Sequence, residues 1–170
     1  WPSSPNEAGV EAGYRALLCW SLDNAEKLCN VLGEKEYAAK SLAIAHRIKK
    51  IIKQPNNLKQ AAALMSIAGL MSPQKACKDV ISVGGAEGFS TFYGYYMLQS
   101  GEYQQALDII RQFWGGMLDL GATTFWEDFN LDWAQNAGRL DEFVPEGKKD
   151  IHGDFGAYCY PGFRHSFCHG

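Results

Sequence analysis

The feature that most constrains the fold is a series of helical apolar patterns separated by glycine turns. The turn glycines Gly33, Gly69 and Gly101 fall at intervals of 36 and 32 residues. Helices joined by short turns pack as antiparallel neighbours, and a repeat of this length is typical of helical-hairpin arrays. The sequence therefore predicts an all-α chain. An open solenoid and a closed toroid both remain consistent with this pattern.

Periodicity and helix breakers together predict six helices before residue 121. Asn6 and Glu7 mark the first start, and Gly33 marks the first end. The expected ranges are 6–32, 34–54, 58–70, 72–82, 90–99 and 103–120. Large apolar residues at helical spacing, such as Tyr14, Leu18 and Leu28, are expected along one side of the first helix. The tyrosines of the fifth helix are expected in the inner-layer core, with a place in the site as the alternative: Tyr93, Tyr95 and Tyr96.

The composition is that of a globular domain. The chain has 170 residues, of which 46% are hydrophobic and 21% are charged, so one domain over residues 1–170 with a sizeable core is expected. The net charge of -3 gives no electrostatic case for a nucleic-acid or anionic-membrane partner. The five cysteines show no Cys-x-x-Cys pair, which favours free thiols.

The helical period stops at Gly121, and the remaining residues are rich in glycine, aspartate and aromatic residues. The stretch Gly121–Trp133 places Glu127, Asp128 and Asp132 among two tryptophans and two phenylalanines. Such a mixture suits a sugar site, because apolar rings pack on the C–H faces of a pyranose while carboxylates bind hydroxyls or move protons. A buried aromatic cluster with a solvated acidic rim is the alternative.

Two motifs resemble bacterial α-L-rhamnosidases, which are inverting glycoside hydrolases with an (α/α) six-hairpin barrel. The first is the segment Gly-Ala-Thr-Thr-Phe-Trp-Glu that ends at Glu127, which is similar to the family's catalytic-base segment. The second is Ser166-Phe-Cys-His-Gly170, which resembles the family's Ser-x-x-His-Gly stretch. The preceding hairpins are of the family's kind, so the resemblance covers most of the chain and implies part of a six-hairpin barrel.

The resemblance implies a role for individual residues. Glu127 matches the general base, which deprotonates water in inverting hydrolysis, and His169 matches a histidine that hydrogen-bonds substrate. Trp126 is either a wall of the sugar site or core packing, and Asp128 and Asp132 are either structural or hydroxyl-binding. The reaction needs no cofactor. Terminal α-L-rhamnosides are the implied substrate.

One departure from the family concerns the general acid, which lies in an earlier segment that has no equivalent in this sequence. The chain also has fewer than six hairpins. We therefore expect the later part of a barrel, with hairpins over 6–120 and an active-site segment over 121–170, which is nearly inactive alone. The opening residues Trp1–Pro5 are likewise expected to lie inside a longer protein.

Three other interpretations remain open. The chain could belong to another six-hairpin glycosidase that acts on a different sugar. It could also be a tetratricopeptide-like scaffold that binds peptides, although a scaffold has no reason for the Gly121–Trp133 stretch. A zinc site is a weaker alternative, because no Cys-x-x-Cys or His-Glu-x-x-His supports it. Its ligands would come from His152, His165, Cys168 and His169.

Overall fold

The computed structural model describes residues 4–52, 54–100, 103–126, 129–151 and 153–155. Over these residues the prediction of an all-α chain is confirmed. The described chain contains six α-helices and no strand, and its one isolated bridge joins Ala137 to Lys149. The α-helices are α1 (Glu7–Val31), α2 (Lys35–Lys49), α3 (Lys59–Ile67), α4 (Pro73–Ala76), α5 (Thr91–Gln99) and α6 (Tyr103–Asp119).

The chain divides into two compact units. The first comprises Trp1–Val83 with Gln99–Glu102, and the second comprises Gly84–Leu98 with Tyr103–Gly170. The single domain predicted over residues 1–170 stays a prediction. No helix within the described ranges combines the length and the apolar character that a bilayer crossing requires.

Helix α1 begins and ends where the sequence predicts. The side chain of Asn6 accepts a hydrogen bond from the backbone N–H of Gly9 at 3.0 Å, which satisfies one of the unpaired donors of the first turn. At the other end, Gly33 has a φ of +80°, the left-handed conformation that commonly ends a helix. Capping residues thus fix both ends of the longest helix.

The buried face of α1 differs from the expected one. It consists of small residues, whereas Tyr14, Leu18 and Leu28 are 48%, 47% and 59% exposed. Small side chains allow neighbouring backbones to approach closely: a Cβ atom on Gly9 would lie 2.9 Å from the Cβ of Leu58. The buried positions are Gly9, Ala12, Gly13, Ala16 and Cys19.

The other helices of the first unit are close to their predicted ranges. Helix α2 ends at Lys49 rather than at residue 54, and Lys49 forms a half-buried ion pair with Asp23 of α1 at 2.7 Å. Ser72 caps α4 through a hydrogen bond from the N–H of Lys75, and a π-helical turn over Cys77–Ile81 continues that helix. The described cysteines Cys19, Cys29 and Cys77 are free thiols, as predicted.

The second unit has an aromatic core built on α6. Phe113 is 1% exposed and has the rings of Phe89, Trp114 and Phe129 around it at centroid distances of 5.0, 5.7 and 5.4 Å. After Gly121 the described residues contain one short 3₁₀ helix, Leu131–Gln135. The predicted loss of helical structure after α6 is confirmed for those residues.

Candidate functional site

Three of the five predicted site residues lie outside the described residues. They are Glu127, Asp128 and His169. The other two, Trp126 and Asp132, belong to the second unit and are described. The flanks of the Glu127–Asp128 pair are described on both sides.

Trp126 is a core residue of the second unit in this structure. Its side chain is 1% exposed, and its ring meets the ring of Phe129 edge-on at 5.7 Å. The hydroxyl of Thr91, at the start of α5, donates a buried hydrogen bond to the carbonyl oxygen of Trp126. Of the two roles left open by the sequence, this burial favours core packing over a wall of a sugar site.

The residues on either side of the carboxylate pair are both anchored in the core. Trp126 precedes the pair, and Phe129, which is 5% exposed, follows it. The ring of Phe129 in turn packs against Phe113 of α6 at 5.4 Å. Because protein interiors are close-packed, the two residues that flank the pair in sequence have defined positions in the core.

Asp132 forms local hydrogen bonds in the 3₁₀ helix in which it lies. It is exposed, and its backbone N–H donates to the side chain of Asn130 at 2.9 Å. One of its carboxylate oxygens accepts from the side-chain amide of Gln135 at 3.4 Å. These local hydrogen bonds favour the structural role over hydroxyl binding.

An aromatic groove of about 530 Å³ lies in the second unit. Tyr95 and Phe92 of α5, on one side of it, are 60% and 59% exposed. The prediction that Tyr95 belongs to the core is therefore wrong, because this face of α5 has no described element packed over it. The groove is lined by Thr91, Phe92, Tyr95, Tyr96, Leu98, Ile110, Trp114 and Phe125.

Phe125 and Trp114 are the rings that connect this groove to the Gly121–Trp126 segment. Their centroids are 5.7 Å apart at an interplanar angle of 60°, and Phe125 is 48% exposed. Both rings also line a second cavity of about 310 Å³ that includes Thr123 and Thr124. The arrangement offers apolar ring faces and threonine hydroxyls to a ligand, directly before the carboxylate pair in sequence.

The indole nitrogen of Trp114 is buried and has no hydrogen-bond partner among the residues that the structure describes. A buried donor without a partner is uncommon and costs free energy. Phe125 was predicted only as one of the four rings of the Gly121–Trp133 stretch, and Trp114 was not predicted as a site residue. The aromatic residues spaced along α5 and α6 were the signal available for Trp114.

The turn that starts the segment is braced by Arg139. Its guanidinium donates to both carboxylate oxygens of Asp141, at 2.9 and 2.8 Å, and to the carbonyl oxygen of Asp119 at 2.7 Å. The hydrogen bond from Arg139 lowers the pKa of Asp141, and the same bond raises the pKa of Arg139. The brace holds residues 139–141 against the end of α6.

We expect Gly121→Ala to lower the free energy of unfolding of the second unit by about 1–3 kcal/mol. Gly121 has a φ of +86°, and an added Cβ would lie 2.5 Å from the carboxylate oxygen Oδ1 of Asp141. The matched control is Gly115→Ala in α6, where a Cβ meets nothing within 4 Å and helix propensity predicts a small gain. Urea unfolding followed by circular dichroism measures both. Equal stability of the two variants would contradict the assignment.

No group of three or more potential metal ligands occurs within the described ranges. The residues considered for a zinc site, His152, His165, Cys168 and His169, lie outside those ranges. Comparison of the chain with family models, with curated proteins and with solved structures gave no match.

Proposed function

We propose that this chain is the later part of the catalytic barrel of an inverting glycoside hydrolase that acts on terminal α-L-rhamnosides. Glu127 is the general base, and His169 hydrogen-bonds the sugar. The motif around Glu127 and the Ser166–Gly170 stretch are the sequence support. The barrel itself is part of the proposal, and the all-α architecture is consistent with it.

The observation that carries the proposal is the anchoring of the chain around Glu127 and Asp128. Trp126 and Phe129 are 1% and 5% exposed, and Thr91 holds the Trp126 carbonyl. A general base works only when it is held at a defined distance from the attacking water. The two rings that flank the carboxylate pair in sequence are buried, and a solvated acidic loop has no need of buried rings at both of its ends.

The ring that stacks on the sugar is assigned to Phe125 rather than to Trp126. Phe125 is half-exposed beside Trp114, whereas Trp126 has no exposed face. The C–H face of a pyranose is apolar enough to pack on such rings. Asp132 is left with a structural role at the start of the 3₁₀ helix.

The general acid and the rest of the barrel belong to the longer protein in this proposal. Large apolar side chains on α1, on α2 and at the end of α1 are open to solvent, including Leu28, Val31, Leu32 and Tyr37, which are 59%, 83%, 66% and 59% exposed. Exposed apolar surface of this kind usually marks an interface. Further hairpins packed on these faces would cover it.

The test is a set of p-nitrophenyl glycosides given to the full-length protein. The α-L-rhamnoside is expected to be hydrolysed at least tenfold faster, by kcat/KM, than the α-L-fucoside, β-D-glucoside and α-D-mannoside. The isolated 170-residue chain is expected to be nearly inactive. Preference for another glycoside would support the alternative six-hairpin glycosidase. No hydrolysis of any glycoside would favour the peptide-binding scaffold.

A further inference from the structure

Another cavity lies in the first unit, and none of its lining residues belongs to the proposed catalytic site. We call it the Asn56 cleft. Its volume is about 690 Å³, which is within the usual range for small-molecule sites. It is lined by Gln54, Pro55, Asn56, Asn57, Met65, Leu70, Met71, Ser72, Lys75, Asp79 and Val80.

Two unusual backbone features meet at the cleft. Asn56 and Asn57 both have positive φ, 51° and 58°, a conformation that is uncommon outside glycine. The side chain of Asn6 holds this turn by donating to the carbonyl oxygen of Asn56 at 2.6 Å. Asp79 and Val80, which also line the cleft, belong to the π-helical turn. Strained turns and π-helical turns both occur preferentially at binding sites.

The polar groups of the cleft are balanced in charge. The Nζ of Lys75 lies 3.7 Å from a carboxylate oxygen of Asp79, and their side chains are 66% and 45% exposed. At this distance the two groups form an ion pair, but they are too far apart for a direct hydrogen bond. Each group therefore keeps hydrogen-bonding capacity for a ligand, and together they present no net charge.

Part of the cleft lining is apolar. Met65 and Val80 are buried, and Leu70 and Met71 line the cleft with them. A ligand that fits must therefore have an apolar face as well as several hydrogen-bonding groups. A free ion lacks the apolar face. A purely apolar molecule would form no hydrogen bonds with the polar side chains of the lining.

We propose that the Asn56 cleft binds a neutral saccharide of one to a few sugar units. A sugar hydroxyl both donates and accepts, so one hydroxyl can accept from Lys75 while donating to Asp79. The side-chain amide of Asn57 provides both a donor and an acceptor for a neighbouring hydroxyl. The C–H face of the sugar packs on the apolar residues of the lining. The proposal goes beyond the hydrolase function and does not need Glu127.

The test is a titration of the ¹⁵N-labelled chain with L-rhamnose, D-glucose, maltose and cellobiose, followed by amide chemical shifts. We expect saturable shifts at residues 54, 56 and 57 and at residues 75–80 with at least one of these sugars. Asp79→Asn is expected to weaken binding by about 10–100-fold, because the charge-assisted hydrogen bond from the sugar becomes a neutral one and the ion pair that positions Lys75 is lost. The matched control is Asp108→Asn, since Asp108 forms a similar exposed ion pair with Arg111 on α6. It is expected to leave binding unchanged.

Three outcomes would overturn the proposal. They are no saturable shift with any of the four sugars, saturable shifts with phosphate or spermidine alone, and equal binding by the Asp79→Asn variant. Failure here and failure of the hydrolase proposal are distinguishable. Glu127→Gln removes hydrolysis without changing the cleft titration, and Asp79→Asn does the reverse.

Discussion

Glu127→Gln in the full-length protein is expected to lower kcat for the α-L-rhamnoside by about 10²–10⁴-fold, or roughly 3–5 kcal/mol of barrier. The amide is nearly isosteric with the carboxylate and still forms hydrogen bonds, but it cannot take a proton from water. Substrate binding is therefore expected to remain. Steady-state kinetics with the p-nitrophenyl substrate separates the two effects.

The matched control for this variant is Asp132→Asn. Asp132 lies five residues further along the same acidic stretch, and its hydrogen bonds are local to the 3₁₀ helix. We expect kcat within about threefold of the wild type, since a surface substitution of this kind usually has a small effect. His169→Ala is expected to raise KM through loss of a hydroxyl contact. Near-normal turnover by Glu127→Gln would remove Glu127 from the base role.

Phe113→Ala is expected to lower the free energy of unfolding of the second unit by about 3–5 kcal/mol. The Phe113 side chain is 1% exposed, and its ring is in contact with Phe89, Trp114 and Phe129. Its removal loses the buried apolar area and leaves a cavity that the rigid neighbouring rings fill only in part. Urea unfolding followed by tryptophan fluorescence measures the change.

Phe143→Ala is the matched control for the core substitution. The Phe143 side chain is fully exposed in the structure, at 101% of the reference area, so its removal is expected to change stability by no more than about 0.5 kcal/mol. A loss of several kcal/mol in Phe143→Ala would mean that another part of the protein covers this residue. A loss below about 1 kcal/mol in Phe113→Ala would contradict the aromatic core.

The helix starts and ends could be predicted because local residues determine them. Asn6 caps α1 through its own side chain, Ser72 caps α4 in the same way, and Gly33 adopts the left-handed conformation after α1. The buried face of α1 could not be predicted from the position of its large apolar residues. Close approach of Gly9 to Leu58 depends on the tertiary packing, and nothing in the local pattern shows it.

The position of the candidate site in the sequence could be predicted, but the orientation of its side chains could not. The site was predicted from the loss of the helical apolar pattern at Gly121 and from the carboxylates that lie among aromatic residues after it. It could not say which ring of the Phe125–Trp126 pair faces outward, because helical period is lost in this segment. The structure places Phe125 at 48% exposure and Trp126 at 1%. Trp114 joins Phe125 only through the packing of α6 beside it.

The most direct measurement of the central claim is azide rescue of Glu127→Ala in the full-length protein. In an inverting enzyme water attacks the sugar directly, and the two carboxyl groups stand about 6.5–9.5 Å apart to admit it. Azide can occupy the space left by the deleted side chain and attack in place of water. We predict recovery of turnover and a rhamnosyl azide of inverted configuration, identified by ¹H NMR. An azide product that retains the substrate configuration, or no recovery by azide in a folded variant, would contradict the account.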